Sequence, residues 1–172
     1  MKHIRTYSEI NEKKSVGLIF HFTDPASLLS ILKEDRMHSG HGYISFTRNP
    51  DLKAWHESFG AYCRIVFNGS DLSDRFHIEP YLFDPTKDPI FADGHEPDYT
   101  ERKKLYGAER EERIRGNEIH GIMKYIVKID ILNNTNTNDE EQKSLKEITK
   151  NFGSVISINF VDKFTPVRDQ IT

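Results

Sequence analysis

The chain has 172 residues, 36% hydrophobic and 30% charged, with a net charge of −3, which suits one polar globular domain spanning residues 1–172 and excludes an overall basic field for nucleic acid. No apolar run approaches the roughly 18 residues of a membrane span, and residues 1–15 are charged where a secretory leader would be apolar. A soluble, cytoplasmic protein is expected, and its single cysteine, Cys63, excludes an internal disulfide and reads as a small buried hydrophobe.

Residues 1–15 read as a flexible lead-in. Residues 16–22 are continuously apolar, the pattern of a buried strand, and lead into His21-Phe22-Thr23. Asp24-Pro25 then opens a helix, Asp24 as N-cap and Pro25 at the first helical position. Leu28, Leu29, Ile31 and Leu32 give it an apolar face that fades near Asp35-Arg36. A turn over residues 39–42 precedes a second strand at 43–47, which contains Ser45-Phe46-Thr47 and is followed by Arg48. Asn49-Pro50-Asp51 ends that strand, and a short helix is expected over 52–59, with Trp55 in the core.

Residues 62–67 alternate well enough for a half-buried third strand, with Arg64 expected as a surface cation. Asn68-Gly69 turns the chain into a short turn or helix at 71–73. Residues 84–99 are punctuated by proline, aspartate and glycine, and long irregular segments of this kind are commonly functional. Residues 121–131 show the strongest strand alternation in the chain. The polar stretch 133–143 begins as a loop over 133–138 and runs into a helix over 139–152, with Leu145, Ile148 and Phe152 on one face and Gly153 at its C-cap. A last strand is expected over 154–161. The fold class is α+β, with five or six short strands and two or three helices.

The chemistry concentrates in three patterns: His21-x-Thr23, Ser45-x-Thr47 with Arg48, and the acidic cluster Glu109-Arg110-Glu111-Glu112-Arg113 ahead of Ile114. Each has an ordinary reading. Glu109 with Arg113, and Glu111 with Arg115, are i,i+4 acid-to-base pairs of a solvated helix, each contributing a few tenths of a kcal/mol, about 0.3, so local pairing predicts helix here. His21 could be a hydrogen-bonded structural histidine, and Ser45 and Thr47 the polar side of a half-buried strand. On an extended segment, by contrast, Glu109 and Glu111 share a face and can point into one cleft.

In this order, the three patterns resemble the ADP-ribosyltransferase superfamily, and more narrowly small phage-encoded proteins of that fold. The likeness runs over residues 16–131, including Arg64-Ile65-Val66-Phe67 and Asp71-Leu72-Ser73. It implies two small packed sheets with flanking helices and a central cleft for NAD, the substrate. It further implies His21 and Thr23 at the dinucleotide, and Ser45 and Thr47 buttressing the nicotinamide pocket. Glu111 would be the catalytic carboxylate, with Glu109 as partner and Glu112 as rival for the role. Arg48 suits the pyrophosphate, because a planar guanidinium matches that anion. Cleavage of the nicotinamide–ribose bond passes through an oxocarbenium-like state, and a carboxylate stabilises the charge as it develops.

The acceptor implied is a macromolecule, a host protein or nucleic acid. The alternatives are a non-catalytic module of the same fold that binds a nucleotide ligand or host factor, and an NAD glycohydrolase. An RNA 2′-phosphotransferase would lean on several arginines and a histidine instead of a Glu-x-Glu. No metal is expected: His38 and His41 lack an adjoining carboxylate cluster, and His77, His95 and His120 are scattered.

Overall fold

The computed structural model describes residues 17–51, 60–80, 111–133 and 137–165. The expectations for the lead-in, the 52–59 helix with Trp55, the 84–99 segment, His95 and Glu109 lie outside the described residues.

In chain order the elements are β1 (Leu18–Thr23), α1 (Pro25–Glu34), β2 (Arg36–His38), β3 (Tyr43–Thr47), β4 (Cys63–Asn68), α2 (Gly69–Ser73), β5 (Ile78–Pro80), β6 (Glu111–Arg115), β7 (Glu118–His120), a 3-10 turn (Met123–Tyr125), β8 (Ile126–Leu132), α3 (Asp139–Phe152) and β9 (Ile158–Val161). Asp24 caps α1 through bonds from the Ala26 and Ser27 backbone N–H groups, both 2.9 Å. Asn138 and Glu141 form a reciprocal capping box at the start of α3.

One seven-stranded sheet runs β5-β6-β3-β1-β4-β8-β9, and β2 pairs with β7 in a separate ribbon. Only the β8–β9 pairing is parallel among the described strands. The expected pair of small sheets is thus a continuous sheet beside a two-stranded one, because β1 joins the two halves. It pairs with β4 along its whole length, from Leu18↔Asn68 to Thr23↔Cys63. Its ladder with β3 is a single pair, Phe20↔Thr47. The sheet is therefore continuous but nearly split between β1 and β3.

One sheet face carries Ile19, Ile65, Phe67, Ile129, Ile131, Ile44, Phe46 and Ile114 into a core closed by Leu28, Ile31 and Leu32 of α1 and Ile148 of α3. The helices are also joined by Lys33 and Glu147 at 2.7 Å. Leu145 and Phe152 pack against this core partly buried, so the expected face of α3 is the one used. Gly153 is its C-cap but in right-handed geometry, φ −63°.

Several elements differ from the sequence reading, each for a tertiary reason. The 62–67 strand is buried on both faces, because β4 lies between β1 and β8 and its second face is also covered. Arg64 is therefore interior, 1% exposed, and not a surface cation. It stands opposite Asp130 in register and lies over the Phe164 ring at 4.8 Å. The strand expected from residue 121 begins only at Ile126, after Gly121 takes a left-handed turn (φ +67°) and the chain passes through the 3-10 turn. The helix expected around the glutamates is a strand from Glu111 onward. β6 pairs with β3 through Tyr43↔Arg115, Ile44↔Ile114, Ser45↔Arg113, Phe46↔Glu112 and Thr47↔Glu111. That ladder outweighs i,i+4 pairs of a few tenths of a kcal/mol, about 0.3 each.

Candidate active site

Beyond the Phe20–Thr47 pair, a side chain spans the seam where a β1–β3 ladder would continue. His21 Nδ1 lies 3.0 Å from the Ser45 carbonyl oxygen. A carbonyl only accepts, so Nδ1 carries the proton and Nε2 is the ring's acceptor. Removal from water lowers the His21 pKa below its ordinary value, with the Ser45 bond acting in the opposite direction. The ring is neutral at neutral pH and packs edge-on to Phe46 at 6.2 Å.

This seam opens into a groove of about 600 Å³. His21 and Thr23 line it from β1, Ser27, Ser30 and Ile31 from α1, and Tyr43 and Ser45 from β3. Glu34, Arg36, His38 and His41 bring charge and imidazole to it. Arg36 bonds Glu34 and, at 2.8 Å, Glu118 of β7, which fastens the β2–β7 ribbon beside the groove.

Ser45 connects the groove to the acidic cluster. Its carbonyl accepts from His21 while its hydroxyl donates to Glu111 Oε1. Glu111 also accepts from Arg113 Nε at 2.9 Å and Nη2 at 3.2 Å. The Arg113 guanidinium carbon lies 3.7 Å from the centroid of the Tyr43 ring. Residues paired in register share a face, so Tyr43, Ser45, Thr47, Glu111 and Arg113 all project from one side of β3 and β6.

The predicted residues thus fall into two groups. His21, Ser45 and Glu111 are linked by hydrogen bonds, and Thr23 lines the same groove. Glu112 points to the opposite face of β6, where it is buried and paired with Arg48. Thr47 is buried, and its hydroxyl accepts from the Asn49 N–H at 2.9 Å. Glu112 and Arg48, expected at one dinucleotide in different roles, therefore engage each other. Arg113 and Tyr43 were not among the sequence candidates, although Glu111 and Arg113 show the two-residue spacing that shares a strand face.

Cys63 is fully buried and unpaired, and burial pushes its thiol pKa upward, against a nucleophilic role. Among the described residues no cluster of three or more metal-ligating side chains occurs. No helix among them is long and apolar enough to cross a membrane.

No family model matches the chain, and no curated protein matches it. Among solved structures it is similar to DarT of Thermus sp. 2.9 in complex with NAD+, with 11% sequence identity and a TM-score of 0.52. The match covers 85% of this chain and 96% of that one. At this identity the likeness establishes a shared DarT-like α+β fold.

Proposed function

We propose that the protein binds NAD in the groove between β1 and β3 and cleaves its nicotinamide–ribose bond, transferring ADP-ribose to a macromolecular acceptor. The observation that carries this reading is the hydrogen-bonded chain His21–Ser45–Glu111 at the seam of the sheet. The fold shared with an NAD+-bound protein supports it. The unprotonated His21 Nε2 is suited to accept from a ribose hydroxyl or the carboxamide of the ligand. In the reaction the C1′–N bond breaks and its electron pair leaves with neutral nicotinamide. The Glu111 carboxylate stabilises the cationic ribose. An oxygen or nitrogen of the acceptor then bonds C1′ and loses its proton to solvent or to a neighbouring carboxylate.

The groove residues Thr23 and Ser45 serve binding, and Glu111 is the main catalytic carboxylate. Glu109 is its partner in this reading. Glu112 and Arg48 hold one another, which directs Glu112 away from the catalytic role and Arg48 away from the pyrophosphate. The test is nicotinamide release from NAD by the wild type and by Glu111→Gln, with protein and nucleic acid extracts as acceptors. Release by the wild type, lost in Glu111→Gln, supports the reading. A wild type that releases nothing above background with any acceptor refutes it, and release without labelling of a macromolecule makes the protein a glycohydrolase.

A further inference from the structure

We propose that Arg113 is a positioning residue for the Glu111 carboxylate, acting through a guanidinium fork whose plane is set by the Tyr43 ring. The inference rests on the catalytic reading of Glu111 and deepens it.

Four arginine–carboxylate pairs among the described residues tie separate strands together, and Arg36 also closes locally on Glu34. Arg36 reaches from β2 to Glu118 of β7, Arg48 from the end of β3 to Glu112 of β6, Arg115 from β6 to Glu79 of β5, and Arg64 from β4 to Asp130 of β8. The Arg113–Glu111 pair joins two residues already fixed by one strand, two positions apart. The β6 backbone already holds the two residues together, and the fork between them fixes the direction of the carboxylate.

The geometry suits that purpose. Nε and Nη2 of Arg113 each meet a different oxygen of Glu111, at 2.9 and 3.2 Å, the fork arrangement that fixes a carboxylate in plane. Both side chains are mostly shielded, 14% and 12% exposed, so the pair is less screened than an open surface one. The guanidinium lies over Tyr43, a stacking contact that lysine cannot reproduce. A carboxylate has about four lone-pair positions. Among the described residues Ser45 and Arg113 take three, two on Oε1 and one on Oε2. The remaining position on Oε2 is thereby given a fixed direction, as an interaction with a reacting ribose requires.

The test is steady-state nicotinamide release by the full chain as a function of NAD concentration, with folding followed by circular dichroism. Arg113→Met is expected to lower kcat on the order of 10²-fold while KM for NAD changes less than about threefold. Arg113→Lys should recover little of that loss, and added guanidinium ion should restore part of the activity of Arg113→Ala. Tyr43→Leu should be less active than Tyr43→Phe by on the order of tenfold, because only phenylalanine keeps a ring face.

Wild-type turnover by Arg113→Met, or full recovery in Arg113→Lys, overturns the positioning role while the catalytic reading stands, provided Glu111→Gln is inactive. A wild type that releases no nicotinamide overturns both. Should Arg113→Met not fold, the Tyr43 pair decides: equal activity of the leucine and phenylalanine variants overturns the proposal.

Discussion

Arg64–Asp130 and Arg113–Glu111 are both arginine–carboxylate pairs, and the register places both on the same face of the main sheet. The first bridges β4 and β8 and is 1% exposed at both partners. Arg64 Nη2 donates to Asp130 at 2.7 Å, and Nη1 donates to the carbonyls of Pro50 and Thr165. Lys128 and Asn159 complete the Asp130 shell, each at 3.0 Å. The second pair lies beyond β1 and β3 in the strand order, beside the groove, and is joined to it by Ser45. One arginine gathers loop, tail and strand into the interior, whereas the fork of the other meets both oxygens of Glu111 on its own strand. Similar chemistry therefore bridges two strands in one place and stays within one strand in the other.

The sharpest way to break this contrast is to score activity and stability together. Glu111→Gln is expected to lower nicotinamide release by on the order of 10²- to 10³-fold, the range for removing a charge-stabilising group from a transition state. Its thermal midpoint should stay close to that of the wild type. A large loss of stability there would make Glu111 a second structural carboxylate.

Asp130→Ala should do the reverse. It leaves the Arg64 charge buried without its partner, at a cost of roughly 3–5 kcal/mol in denaturant unfolding, while the molecules that remain folded still turn over. The double variant Arg64→Met/Asp130→Leu should be more stable than Asp130→Ala, since an apolar pair avoids the stranded charge. If the double variant is the less stable, the pair's hydrogen bonds matter more than its desolvation.

Acid titration separates the two regions by pH window. Burial alone would raise the Asp130 pKa, but bonds from Arg64, Lys128 and Asn159 outweigh it and hold the carboxyl below its ordinary value. Its stabilisation is therefore complete above the unfolded pKa of about 3.9 and is lost as pH falls through the lower folded value. His21 acts earlier. Its folded pKa is depressed, so the unfolded chain takes up the proton first. Stability then declines as pH drops below about 6.5 toward the folded pKa. Unfolding free energy measured between pH 7 and 5 should show this slope in the wild type and a shallower one in His21→Asn.

The smallest effect is expected far from both pairs. Asn138→Ala removes the α3 capping box and should cost about 1 kcal/mol of stability, with nicotinamide release per folded molecule unchanged.

Much of the fold is legible in local chemistry. The residues of α1 follow from Asp24 and Pro25, β3 from its turn residues on either side, and α3 from its cap and the spacing of Leu145, Ile148 and Phe152. In each, side-chain pattern and backbone preference agree. Arg64 and the glutamates illustrate the opposite case. A charged residue on a strand reads as solvated unless its partner is known, and Asp130 lies 66 positions away. The glutamates carry helical pairing in sequence, yet they follow β3, whose edge supplies a full ladder. Glu112 rivals Glu111 in the sequence because the register of the acidic cluster is not fixed there. The pleat sends adjacent residues to opposite faces, and the β6 register then turns Glu111 toward Ser45 and Glu112 toward Arg48.

The α+β class, most of the element order, and the residue types gathered at the candidate site were legible in the amino-acid sequence, because these depend on local patterning and on chemistry carried by the side chain. Only the tertiary structure decided which carboxylate meets His21 through Ser45, that Arg64 is interior, and that Arg113 bonds Glu111 while Arg48 bonds Glu112. Those outcomes depend on strand register, and a shift of one residue reverses every face.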